Sequence, residues 1–154
     1  MVSSTARDLP VHRAQVMSAC LQQNLFPKMM EHLPASDANA IQASLRMVDE
    51  ADLYLGVIGF RYGFVPKGQR LSITEMEYER AGRRKMPRLM FLMHDDHPLR
   101  AADVETGTGA ARLRAFRQRI GEDDGASAAA HEGVDRNQLL RRQRARMREE
   151  QRAT

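Results

Sequence analysis

Two short apolar runs constrain this chain more than anything else in it: "LYLGVIG" (Leu53 to Gly59) and "PRLMFLM" (Pro87 to Met93). Neither alternates apolar with polar residues, so each reads as a strand buried on both faces. A helical stretch lies between them, and strands alternating with helices imply parallel β-α units. The expected fold class is therefore α/β, with a doubly wound parallel sheet. In such sheets the ligand crevice lies beyond the carboxyl ends of the strands. The loops "SSTARD", "GFRYG" and "HDDH" all leave strands on that edge and are expected to cluster.

The rest of the chain fits around this frame. "MVSS" reads as the very end of a strand, and "LFPKMM" as a weak second strand interrupted by Pro27. A first helix is expected from Leu9 to Gln23, with Asp8 as N-cap and Pro10 in the first turn. Leu9, Val16, Met17, Cys20 and Leu21 form its apolar stripe. A second helix opens at Ser36 or Asp37 and is buried through Ile41, Leu45 and Val48. A third lies within "RLSITEMEYERAG", and Leu113, Phe116 and Ile120 mark a fourth. Past Gly121 the pattern fails. "EDDGASAAAHEG" has the composition of a linker, and the Arg-rich segment after it, helical or disordered, lacks an apolar stripe. Residues 1–121 are expected to form the domain, and 122–154 a linker and basic tail.

A chain of 154 residues suffices for one domain with a real core. No apolar run approaches the roughly 20 residues of a membrane span, and "MVSSTARDLP" carries no signal-peptide pattern. The single cysteine, Cys20, excludes an internal disulfide and fits a reducing cytoplasm. The net charge of +4 resides in the tail, where Val134 to Thr154 hold seven arginines against three acidic residues. A neutral remainder argues against a nucleic-acid-binding face on the folded part.

Three glutamates, Glu75, Glu77 and Glu79, crowd the third helix. At about 100° per residue, Glu77 falls on the face defined by Ile73, Met76 and Ala81, while Glu75 and Glu79 fall opposite. Ser72 and Glu75 have capping-box spacing, and Glu79 reads as a solvated residue. Glu77 is the inward carboxylate. It is either tied to a buried arginine or placed in a cleft to meet a ligand. Arg13, among Val16, Met17 and Cys20, is a second inward charge able to pair with Asp8, Asp52 or Glu77.

Other candidates carry two readings each. "SSTARD" is an anion cradle or a simple capping turn. Arg61 and Tyr62 clamp an anion and stack on a ring, or they cap the sheet end. His94, Asp95, Asp96 and His97 are contiguous, which is poor geometry for a metal, and none is expected there. Cys20 has no nearby histidine and reads as core.

With "VSSTARDL", "DLYLGVIGFRYG" and "LSITEMEYERA" in this order and spacing, the chain resembles the TIR-like domain of unknown function (family 4062) over about residues 1 to 121. That domain usually precedes STAND or NACHT-type NTPase modules. The resemblance implies a flavodoxin-like (TIR-like) fold, shared with nucleoside deoxyribosyltransferases. It also implies a catalytic glutamate followed four residues on by alanine, which here are Glu77 and Ala81. The implied activity is cleavage of an N-glycosidic bond, as in NAD hydrolysis, with NAD or another nucleotide as substrate and no cofactor. The implied pocket takes Ser3, Ser4, Thr5 and Asp8 from the first turn, and Gly59, Arg61, Tyr62 and Gly63 from the loop after "LYLGVI". Ser72 and Thr74 join from the start of the third helix. A second copy or a STAND NTPase is the implied macromolecular partner. The alternative is a non-catalytic, self-associating adaptor with Glu77 in an ion pair. The family's first strand is longer than "MVSS", and its final strand and helix are not recognisable in "GASAAAHEGVDRNQLL". The expected sheet is thus incomplete at its first and last strands, as in a fragment or a chain read from a downstream methionine.

Overall fold

A computed structural model of the chain describes residues 1–5, 7–29, 37–123 and 127–130. In chain order the elements are β1 (Val2–Ser4), α1 (Pro10–Gln22), α2 (Asp37–Asp49), β2 (Tyr54–Ile58), α3 (Ile73–Arg83), β3 (Arg88–Met93), a 3-10 turn (Ala101–Asp103), α4 (Gly107–Glu122) and β4 (Ser127–Ala130). The sheet runs β1-β2-β3-β4, and every neighbouring pair is parallel. The two apolar runs are its centre: Leu55 stands opposite Val2 on one side and Leu89 on the other.

Alternation along the strands divides the core in two. Tyr54, Ile58 and Met90 face Val48 of α2, Tyr78 and Ala81 of α3, and Phe116 and Ile120 of α4. Leu55, Val57, Leu89 and Phe91 face the other way, with Leu9, Val16 and Cys20 of the α1 segment. Gly56 leaves room for Met90, whose Cε would lie 2.3 Å from a Cβ at that position.

The structure corrects several local expectations. Residues 25–29 form no strand, although Lys28 O accepts from Val2 N at 2.9 Å, so the segment flanks β1. Pro27 lacks the N–H a ladder would need there. The N-cap of α1 is Leu9, with no side-chain cap, because the Asp8 carboxylate is engaged elsewhere. Pro10 does open the helix. Leu21, about 100° round from buried Cys20, is 56% exposed, whereas Arg13 is buried.

The final strand read as missing is β4, within the segment read as linker. Its Ser-Ala-Ala-Ala sequence has neither alternation nor β-branched residues, and its place comes from backbone pairing with Met90 to Met93. The basic tail expected after it lies outside the described residues. Among the described residues no helix is long and apolar enough to cross a membrane.

Candidate functional site

At the carboxyl edge of the sheet a cleft of about 640 Å³ opens between the end of β1, the loop after β2 and the first turns of α3. Each wall has a local cause. Ser3 and Ser4 end β1, and Thr5 leads into its turn. The loop after β2 bends through Gly63, whose φ of 92° favours glycine, and Phe64 O then accepts from Ile73 N at 3.0 Å. Ser72 caps α3 by accepting from Glu75 N at 3.3 Å.

Glu77 lies on the cleft wall and is 2% exposed. Ser3 donates its hydroxyl to Oε2, and Ser44, wholly buried on α2, donates to Oε1. Among the described residues no arginine forms an ion pair with Glu77. Burial pushes its carboxyl up to about 6, against the opposing pull of the two serine bonds and the Arg13 charge. A carboxyl with that value exchanges protons readily near neutrality. Arg13 lines the cleft as well, and its Nη1 donates to Ser4 O at 3.0 Å and to Ser4 Oγ.

Arg7 and Arg61 lie on the same cleft, opposed by Glu105. Arg61 Nη1 reaches Ala102 O at 3.3 Å. Glu105 Oε2 accepts from Tyr62 N at 3.0 Å, and Glu105 N donates to Phe60 O at 2.8 Å, so the approach to α4 is bound to the β2 loop. Phe64 lines the cleft while remaining 57% exposed.

Of the residues singled out from sequence, Ser3, Ser4, Thr5, Arg61, Gly63, Thr74 and Glu77 meet on this cleft. Asp8, Gly59, Tyr62 and Ser72 are not among its lining residues. Asp8 Oδ2 accepts from Phe60 N at 3.1 Å while Oδ1 accepts from Thr5. A Cβ at Gly59 would lie 2.4 Å from Asp8 Oδ2, which is held by Phe60 N while Oδ1 is held by Thr5. Tyr62, 3% exposed, turns inward and donates its phenol to Glu75 Oε2. Burial and that bond raise the phenol to about 12. Ser72 N in turn donates to the Tyr62 hydroxyl at 3.3 Å.

Glu75 itself corrects the helical wheel. It lies opposite the face read as buried and is buried all the same; its N–H completes the Ser72 cap, but its side chain pairs through Oε1 with Arg119 of α4, while Ser72 N goes to Tyr62. Glu79 keeps 34% side-chain exposure and pairs with Arg83 at 3.5 Å. Arg7, Phe64, Ser44 and Glu105 carried no sequence signal of their own. Serine in mid-helix and arginine in a turn look the same whether they meet solvent or a cleft.

Loops from adjacent strands do gather at this edge. Arg117 of α4 donates to Gly59 O at 3.0 Å and to Met93 O at 2.6 Å, joining the ends of β2 and β3. It also bonds Asp95 at 3.1 Å. Among the described residues no group of three or more histidine, cysteine or acidic side chains is placed to hold a metal ion.

The chain belongs to the family described as Domain of unknown function (DUF4062), whose model matches residues 1–145. The match extends through β4, beyond the limit at Gly121 suggested by composition. No curated protein and no solved structure matches the chain.

Proposed function

We propose that this chain is a TIR-like module of the signalling or defence kind that binds a nucleotide-derived ligand and cleaves an N-glycosidic bond through Glu77. A flavodoxin-like fold is supported by strand order. The parallel order is β1-β2-β3-β4, with α1 on one face and α2 to α4 on the other, and the 25–29 segment flanks β1 through a single bond without forming a strand. The link to STAND-type NTPases rests on the sequence resemblance.

One observation carries the catalytic reading: Glu77 reaches the cleft with serines, not an arginine, on its two oxygens. In the proposed step the bond between ribose C1′ and the base nitrogen breaks, and the base leaves with both electrons. A water oxygen bonds to C1′, and the proton it releases passes to Glu77 or to solvent. The carboxylate also steadies the positive charge that develops on the sugar ring.

The adaptor reading draws on the same residue, since a carboxylate 2% exposed and bonded twice has a sufficient structural role. NAD consumption by wild type and Glu77→Gln, with thermal melts of both, separates the two. Turnover abolished in a variant that melts normally supports catalysis. Absent turnover in wild type, at concentrations that permit self-association, leaves the adaptor.

A further inference from the structure

We infer that Phe64 is the platform on which the cleft stacks a planar ring, with Arg61 and Arg7 receiving an anionic group of the same ligand. The inference rests on the ligand reading above and gives the cleft a second binding determinant besides Glu77. The sequence reads Tyr62 either as stacking on a ring or as capping the sheet end; its ring is in the core and its hydroxyl is bound to Glu75, so it does not offer a face to the cleft. Phe64 is two residues on, and its ring cannot be explained by core packing, because it is 57% exposed on the cleft.

Its exposure is built in. On one side Tyr62 N is held by Glu105 at 3.0 Å, and on the other Phe64 O is held by Ile73 N at 3.0 Å. With the backbone tied at both points and Val65 packed against the core, the Phe64 ring is presented outward. Stacking a base on an aromatic face recovers much of the apolar area that such a ring otherwise leaves in water. The cleft also carries Arg7 and Arg61, whose guanidinium groups suit phosphate oxygens. Arg13 is not assigned that task, since it is buried against Ser4, whereas Arg61 is half-buried and meets Ala102 O. Ring, anion and the Ser–Glu77 end together describe a nucleoside phosphate.

Titration calorimetry with AMP, ribose 5-phosphate and adenosine tests this on the full chain, with wild type, Phe64→Ala, Phe64→Tyr and Arg61→Gln. Phe64→Ala should weaken AMP and adenosine roughly tenfold or more while sparing ribose 5-phosphate, and Phe64→Tyr should bind like wild type. Arg61→Gln should weaken AMP and ribose 5-phosphate and spare adenosine. Equal loss of all three probes in Phe64→Ala, or no AMP binding by wild type, overturns the inference. If the pattern holds and NAD is not cleaved, the hydrolase reading fails and the platform stands.

Discussion

Ser44 of α2 donates its hydroxyl to Oε1 of Glu77 on α3, across a contact in which the serine is wholly buried and the glutamate nearly so. The bond favours the ionised carboxylate. Ser44→Ala should therefore raise the pKa of Glu77 above its present value near 6. It should also cost about 2 kcal/mol of stability at neutral pH, and less once Glu77 is protonated. Denaturation at neutral and mildly acidic pH measures both. An equal loss at the two pH values would show that the hydroxyl does not act on the charge.

Glu77 also makes stability depend on pH with a definite sign. Its pKa rises from 4.5 to about 6 on folding, so the folded chain holds this proton more tightly than the unfolded one. The resulting contribution is complete below about pH 4.5 and is lost as pH rises through about 6. Its size is about 2 kcal/mol. Glu77→Gln does not titrate, so the stability gap between it and wild type should change by that amount across the window. Urea midpoints over the same pH range give the answer, and a constant gap would refute it.

A second carboxylate, Glu75, depends on a partner from α4. Arg119 is 43% exposed in its side chain and Glu75 is 6% exposed, so solvent screens only one end of the pair. Arg119→Ala should destabilise by about 1–2 kcal/mol, below the 3–5 kcal/mol typical of breaking a fully buried pair. Tyr62→Phe removes the other donor to the same carboxylate. A double-mutant cycle on these two residues should depart from additivity by about 0.5 kcal/mol or more.

Gly59→Ala should cost about 1–3 kcal/mol, because the new methyl group collides with Asp8 Oδ2. In an Asp8→Ala background the nearest remaining contact is Leu9, at 3.1 Å, and the added cost should shrink. Melting temperatures of the four chains decide whether the carboxylate is the obstacle.

Much of the sheet was legible because its strands are dense apolar runs, and because Pro10 and Ser72 mark helix starts by unambiguous chemistry. Glu77 was found for a similar reason: a charge on a helix face shared with Ala81 has few explanations. Glu75 was misplaced because a wheel reads one helix by itself, and the neighbour that buries Glu75 is distant in sequence. The β4 strand was invisible for want of side-chain pattern. Tyr62 was singled out and Phe64 passed over, since a loop sequence does not say which ring turns inward. Asp8 was assigned to cap its own helix, whereas its carboxylate accepts from Thr5 and from Phe60 N in another loop.

The Arg117 guanidinium, bonded to Gly59 O and Met93 O, continues the pairing of β2 and β3 past the point where their own ladder ends at Ile58 and Leu92. The two strand exits it joins are thereby held in register with each other. A side chain of α4 thus serves as one further rung between two strands of the sheet.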